Sequence, residues 1–315
     1  MAGTQMELFP LGGIESARLP AAPGLKASDS LSAALDLFQT FMREREFSAN
    51  TINSFNNDLQ LLIGYLGENV ALLQCTTRRL ESFLQYLQHD RGVPCSAKSL
   101  DRRITTLKVF FGWLASHGIL ANDPAAPLVH HGAASPLPQI LSERQVEELL
   151  AITRSMRDAS EAPDARPHLL VTLILGTAIK KSECMNIALK HLDLGDPAQP
   201  SVYIHYEKPR QRFKSRRLAL PPDWVPTFEI YMRRYQPKEK LFECTARNLE
   251  YVLHTTAMLA NQSERLTFET LRWTSAVGSA KAGMDPERLR KRLGLSRISW
   301  QQTWPILKKL GETPL

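Results

Sequence analysis

Between Leu31 and Leu114 the apolar residues recur at spacings of three and four in four separate stripes, and this pattern commits that part of the chain to packed helices. The first stripe is Leu31, Ala34, Leu35, Phe38, Phe41 and Met42. The second, within residues 51–66, is Ile52, Phe55, Leu59, Leu62 and Leu66, with Ser48 ahead of it as an N-cap or turn residue. The third is Leu80, Phe83, Leu84 and Leu87. The fourth is Leu100, Ile104, Leu107, Phe110, Phe111 and Leu114, and Gly118 follows where a helix is expected to stop. Residues 28–123 therefore read as a bundle of four or five helices. Residues 1–27, rich in Gly, Ala and Pro and without periodicity, read as a flexible arm.

Residues 124–140, PAAPLVHHGAASPLPQI, hold four prolines and several small residues, the composition of a linker. A second domain is expected over 141–315. LSERQVEELL restarts a helix, with Ser142 as its cap, and Leu169 to Leu175 form an apolar run suited to burial on all sides. The period then changes: Val202 to His205 and Arg217 to Leu220 read as two strands joined by a charged turn. Helices are expected again over 225–235, 247–260, 268–281, 285–293 and 299–310. The fold class is thus mainly α with a small β-hairpin or sheet, an N-terminal helical bundle followed by an α+β domain.

Of 315 residues 43% are hydrophobic and 23% charged, which is chain enough for two cores and excludes a mainly disordered chain, a collagen-like fibre or a disulfide-stapled miniprotein. Cys75, Cys95, Cys184 and Cys244 form no CxxC pair; they are expected as small buried apolar residues in a reducing compartment. No run of about 18–20 apolar residues exists to span a membrane, and the opening MAGTQMELFPLGG lacks the basic region of a secretion signal. The expected location is cytoplasmic. His130 and His131 have no Cys or Asp neighbours, so no metal site is expected. Asp193 and Asp196 read as turn residues. There is no GxGxxG and no GxxxxGK[ST], so no nucleotide cradle and no cofactor is expected.

The charge is +7, from 39 basic and 32 acidic residues, and it is unevenly spread. Residues 208–217 carry Lys208, Arg210, Arg212, Lys214, Arg216 and Arg217 and no acid. Like charges at this density repel one another unless a polyanion neutralises them, and a phosphate backbone does so with release of counterions. A second cluster spans Lys281 to Arg297, with Arg288, Arg290, Lys291 and Arg292 against only Asp285 and Glu287; two separated clusters point to a groove. Arg78, Arg79, Lys98, Arg102, Arg103 and Lys108, beside two helices of the bundle, are either a solvated face or a phosphate-contacting one.

The order of elements, together with three segments, resembles the tyrosine recombinases, or phage-type integrases. FSANTINSFNNDLQLLIGYL resembles that family's opening helices. SLDRRITTLKVFFGWLASHGILANDPAAPL resembles its closing helix and Asn-Pro-like exit, with Asn122 and Pro124, and LSERQVEELL resembles the start of its catalytic domain. The resemblance runs from about residue 28 to the last residues. It implies a two-domain fold, a helical core-binding domain and a mixed catalytic-type domain, that clamps duplex DNA.

The family's chemistry uses two arginines to clamp the scissile phosphate, a hairpin lysine to protonate the departing oxygen, histidines or tryptophan to orient the phosphate, and a tyrosine nucleophile. The first arginine's motif is present as AIKKSECMNI, which puts Lys180 at its place, with Ser182 and Glu183 matching. The hairpin lysine falls at Gln211 or Arg212, with Lys208 and Lys214 the nearest lysines; arginine does not donate a proton at ordinary pH. The His-x-x-Arg motif reads Glu269, Thr270, Leu271, Arg272, so Arg272 is retained and a carboxylate replaces the histidine. The next histidine's position is Leu295, and the nucleophile's is Trp304, whose indole has no attacking oxygen. Tyr251 is the last tyrosine in the sequence and His254 the last histidine; Tyr231 and Tyr235 lie upstream on an expected helix, as core-packing or surface residues. The resemblance thus implies a protein that is not an enzyme.

The expected function is that of a catalytically inactive recombinase-like protein that binds duplex DNA site-specifically as an accessory or regulatory factor, in the bacterial nucleoid. The expected DNA contacts are Arg102, Arg103, Lys108, Lys180, Lys208, Arg210, Arg212, Lys214, Arg216, Arg217, Arg272, Arg288 and Lys291, with base reading by the helix starting near Leu100 or the one near Arg247. Two other classes compete: an active strand-transfer enzyme with an atypical site, and a protein–protein adaptor. One candidate partner is an active recombinase of the same mobile element. Eleven residues follow Trp304, so cyclic assembly through a C-terminal tail, as in members of that family, is not expected. Finally, Gln5, Met6, Glu7, Leu8 and Phe9 resemble the pentapeptide with which bacterial replication proteins dock into the sliding clamp, Leu8 and Phe9 filling an apolar pocket and Gln5 adding amide hydrogen bonds.

Overall fold

The computed structural model describes residues 24–130, 132, 136–262 and 265–312, and the side chain of Arg210 is not among what it describes. The segment Gln5 to Phe9 therefore lies outside the described residues. The chain divides into two units that part between residues 135 and 136.

In the first unit each apolar stripe becomes a helix opened by a hydroxyl. Ser30 caps α1 (Leu31–Glu44), Ser48 caps α2 (Ala49–Leu66), Thr76 caps α3 (Thr77–Gln85) and Ser96 caps α4 (Ala97–Ser116), each accepting a first-turn backbone N–H that has no partner within the helix. A π turn, Tyr86–Asp90, extends α3. Gly118 takes a φ of 69°, in the left-handed region where glycine has no steric cost, just beyond α4. Phe38, Leu59, Leu62, Leu80, Phe110 and Phe111 are fully buried, and Phe38 meets Phe110 edge to face at 5.1 Å. Phe41, Ile52 and Leu66 sit at the core's margin, half-buried. The proline-rich stretch begins inside this unit: Ala125 and Leu128 are buried in its core and Thr77 donates to the Pro124 carbonyl.

The second unit is built around α6 (Arg166–Thr177), whose residues from Pro167 to Ile174 are buried throughout because α5 (Glu143–Arg157), α8 (Trp224–Tyr235), α9 (Ala246–Leu259) and α10 (Phe268–Lys281) all pack against it. Ser142 caps α5 in a capping box with Gln145. Short α7 (Lys181–Met185) follows α6. Then β1 (Leu192–Asp193), β2 (Ser201–Ile204) and β3 (Arg216–Ala219) form an antiparallel sheet in that order, with Val202 opposite Leu218 and Ile204 opposite Arg216. α11 (Pro286–Arg292) and α12 (Arg297–Glu312) close the chain over α10 around Val277, Leu289, Leu293 and Leu307.

Several expectations change. Both strands begin one residue earlier than periodicity places them, and β1 adds a third strand too short for alternation to reveal. Asp193 belongs to β1, where it pairs with Arg217, and is not a turn residue. The charged turn is a 3₁₀ helix, Pro209–Lys214, which Pro209 opens with its fixed φ. Cys75 and Cys184 are buried, whereas Cys95 and Cys244 are half-buried; all four are free thiols. Tyr231 is a core residue, its hydroxyl donating to the Leu241 carbonyl.

Candidate nucleic-acid interface

The second unit gathers its cations where α6 ends. Ala178 closes that helix with a φ of 55°, a left-handed value that an alanine tolerates only when its surroundings enforce it. The turn throws Lys180 into extended backbone at the head of α7, where its N–H donates to Glu183 Oε2 at 2.8 Å. Glu183 is buried and is the hub. It accepts the Tyr206 hydroxyl at 2.7 Å and both Arg216 terminal nitrogens, at 2.9 and 3.0 Å. Arg216 donates its Nε to the Arg292 carbonyl at 2.7 Å. Arg272, in the second turn of α10, donates its Nε to the Ala178 carbonyl at 3.0 Å and its Nη2 to the Leu293 carbonyl at 3.3 Å. Its Nη1 lies 3.9 Å from Glu269 Oε1. Lys214, at the end of the 3₁₀ helix, lies 5.7 Å from the centre of the Tyr206 ring.

The protonation tendencies follow from this crowding. Burial pushes the Glu183 carboxyl up, but hydrogen bonds and charge from Arg216, with help from the Lys180 N–H and the Tyr206 hydroxyl, outweigh it and hold Glu183 below the ordinary glutamate range. Burial lowers Lys180, and its cationic neighbours Arg272, Lys214 and Arg216 lower it further, against the pull of Glu183. Burial likewise lowers Arg272. Burial and then the Glu183 hydrogen bond raise Tyr206, so its phenol keeps its proton. Four cations, Lys180, Lys214, Arg216 and Arg272, thus share the hollow with Glu183 and, at its rim, Glu269. No hydrogen bond occupies the Lys180 Nζ among the described residues. Such a hollow is built to hold anionic oxygens.

The structure brings Lys180, Lys214, Arg216 and Arg272 together but changes the roles of several expected DNA contacts. Arg216 is not an outward phosphate ligand: its side chain is 10% exposed and committed to Glu183 and to backbone. In the first unit Arg103 is 11% exposed, directed at Asp58 and Cys95, and Arg102 is paired with the same buried Asp58, which Thr106 also serves. Both arginines offset a buried carboxylate, so Arg103 is removed from the expected contact face and Arg102 presents only its outer edge. Lys108 donates to the Ala126 carbonyl. Lys208, Arg212, Arg217, Arg288 and Lys291 are exposed, Arg217 in an ion pair with Asp193. Arg210's side chain lies outside the described residues. Arg292, counted in the second basic cluster, turns inward to the Gly176 carbonyl. The exposed face of α9 carries Arg247, Asn248, Tyr251 and Thr255, with the Arg247 guanidinium over the Tyr251 ring.

Trp304 stacks on Trp300 with centroids 5.1 Å apart, half-buried against the α10–α12 core, and Leu295 is half-buried beside it. The tyrosine of the hollow is Tyr206, which sequence reasoning did not single out. Its signal was faint, an aromatic two residues past β2 facing a glutamate 23 positions upstream, and only folding joins them. Among the described residues no group of three or more metal-binding side chains is found, and no helix is long and apolar enough to cross a membrane.

Residues 35–118 match the family profile of the phage integrase N-terminal SAM-like domain. A tyrosine recombinase XerC of Xanthomonas campestris pv. campestris (strain B100) is 30% identical over 190 residues, 59% of this chain and 56% of that relative, so the alignment spans little more than half the relative's length. A tyrosine recombinase XerD of Listeria monocytogenes serotype 4b (strain F2365) is 23% identical over 295 residues, covering 87% of this chain and 95% of the relative. Among solved structures, the Tn1549 transposon integrase in complex with a circular intermediate DNA superposes with a TM-score of 0.68 at 16% identity, over 88% of this chain and 95% of that one. A lambda integrase dimer bound to a COC′ core site superposes with a TM-score of 0.67 at 14% identity, over 91% and 79%. These superpositions show the fold, mainly α with a small antiparallel sheet in the two-domain recombinase architecture. The profile match and the alignments across both units make the chain similar to the tyrosine recombinases and phage integrases.

Proposed function

We propose that this protein binds duplex DNA through the cationic hollow of its second unit and the exposed Lys208 and Arg212, without cutting it, as an accessory or regulatory factor. The observation that carries the reading is the gathering of Lys180, Arg216 and Arg272 about the buried Glu183, beside an indole at the position the resemblance assigns to the nucleophile. Arg272, with Lys180 in place of the family's first arginine, would hold oxygens of a phosphate, while the position the resemblance gives the attacking tyrosine is Trp304, stacked on Trp300. DNA-bound integrases of the same fold support duplex DNA as the ligand. Exposed Lys208, Arg212, Arg288 and Lys291 would add backbone contacts, and Arg247 and Asn248 of α9 would read base edges. An active recombinase of the same element is the partner such a factor would assist.

Tyr206 favours one competing reading, strand transfer from an unusual nucleophile, because its hydroxyl lies in the hollow; its hydrogen bond to Glu183 and its raised pKa oppose that reading. The test is a labelled nicked duplex carrying the bound site, followed for salt-sensitive binding and for a covalent adduct on denaturing gels. Binding that weakens steeply with salt and leaves no adduct is expected. An adduct abolished by Tyr206→Phe would overturn the proposal in favour of strand transfer. Absence of duplex binding would leave the adaptor reading instead.

A further inference from the structure

The hollow carries its own anion. Arg272 is nearly enclosed, its side chain 13% exposed, and two of its three nitrogens are spent on backbone carbonyls, Nε on Ala178 and Nη2 on Leu293. Nη1 keeps both of its N–H groups for a ligand, and Glu269 Oε1 stands 3.9 Å from it. That separation is an ion pair but too long for a hydrogen bond, so the contact is electrostatic and displaceable. Glu269 is two-thirds exposed and sits in the first turn of α10, one turn before Arg272, where the helix N-terminus favours a carboxylate. It is held by no hydrogen bond among the described residues, and its side chain can swing to solvent. By contrast, the buried Glu183 is fixed by Tyr206 and Arg216 and cannot leave.

We infer that Glu269 is a built-in competitor for the anion site: it occupies the approach to Arg272 Nη1 in the free protein, holds down affinity for phosphate oxygens there, and must be displaced when an anion enters. The inference rests on the reading of the hollow as a phosphate site. It makes engagement of the hollow conditional, because a weak or misplaced phosphate does not offset the loss of the Glu269–Arg272 attraction, whereas a phosphate held also by the exposed Lys208 and Arg212 does.

The experiment compares the wild type with Glu269→Gln, with Glu287→Gln and with the double variant Glu269→Gln/Arg272→Gln. Glu287 is an exposed carboxylate paired with Arg290 on α11, so its substitution makes the same change of charge without touching Arg272. Two readouts are taken: the rise in thermal midpoint on adding inorganic phosphate, and fluorescence anisotropy of a labelled duplex at several salt concentrations. Glu269→Gln is expected to bind phosphate and duplex about fivefold more tightly than the wild type, Glu287→Gln to change neither by a comparable amount, and the gain to vanish in the double variant. Equal gains in Glu269→Gln and Glu287→Gln would reduce the effect to net charge and overturn the inference, a comparison that stands even where the double variant fails to fold. No gain in Glu269→Gln for either ligand overturns it as well, while salt-sensitive duplex binding by the wild type would leave the proposed function intact. A phosphate gain in Glu269→Gln with no duplex binding by any variant would uphold the competitor and remove duplex DNA as the ligand.

Discussion

Glu183 shows how a single side chain organises the anion site. Its carboxylate is buried and satisfied on both oxygens, by Tyr206 and by the fork of Arg216, and a planar bidentate donor is what such a position requires. Removing the acid strands a buried guanidinium, so Glu183→Gln is expected to lower stability by about 3 kcal/mol, read as a drop in the urea midpoint at neutral pH. The pH dependence has a definite sign. Because folding depresses the Glu183 carboxyl below its ordinary value of 4.5, the stability it contributes is complete above that value and is lost as pH falls through the folded-state value. Urea midpoints taken downward from neutral pH should therefore fall more steeply below about pH 4.5 in the wild type than in Glu183→Gln. A parallel decline in the two proteins would count against this role. Lys180 makes the complementary point: a lysine brings to the cluster one mobile ammonium, where an arginine would bring a rigid two-donor fork.

At the scale of elements, the hollow depends on two backbone turns. Ala178 ends α6 in a left-handed conformation and offers its carbonyl to Arg272. Gly294, between α11 and α12, has a φ of 62°, and a Cβ added there would lie 2.7 Å from Arg216 Nη1. Both facts demand glycine, one through backbone strain and one through close approach. Gly294→Ala is expected to cost about 1–3 kcal/mol in thermal or urea unfolding and to push Arg216 off Glu183. Weakened anion binding, seen as a smaller thermal shift with inorganic phosphate, would accompany the loss. A variant as stable as the wild type would show that Arg216 has room to move. The 3₁₀ helix Pro209–Lys214 plays the opposite part: Arg212, and Lys208 just ahead of the helix, are exposed and serve only if a polyanion arrives.

For the whole molecule, the buried residues fall into clusters that do not cross from one unit to the other: Leu31 to Leu128 in the first, Leu141 to Leu310 in the second. Each unit therefore has the core needed to fold cooperatively by itself. Leu107→Ala, which empties a fully packed site in the first unit, is expected to lower one unfolding transition by about 2–5 kcal/mol. Calorimetry should show the transition of the second unit unmoved. A single transition that shifts as one would mean that the two cores unfold together.

Much of this architecture was legible in the amino-acid order. Helix periodicity located α1 to α4 and placed the helices from α8 to α12 to within about two residues, because one face of each must be buried and the 3.6-residue repeat writes that requirement locally. The caps Ser48 and Ser142 were legible for the same reason, since a cap acts within one turn. The basic run at 208–217 was equally plain, being a matter of residue type. What the sequence could not display was the direction of each charge. Arg103, Arg216 and Arg292 read as surface cations alongside Lys208 and Arg212, yet they turn inward, because Asp58, Glu183 and the Gly176 carbonyl are buried polar groups that need partners. Those partners come from positions 33 to 116 residues apart, a separation no local pattern encodes. The order of residues determined the helices, their ends and the chemistry available; only the tertiary structure decided which arginines hold the protein together and which are left for a ligand, since burial and Coulomb attraction act through space.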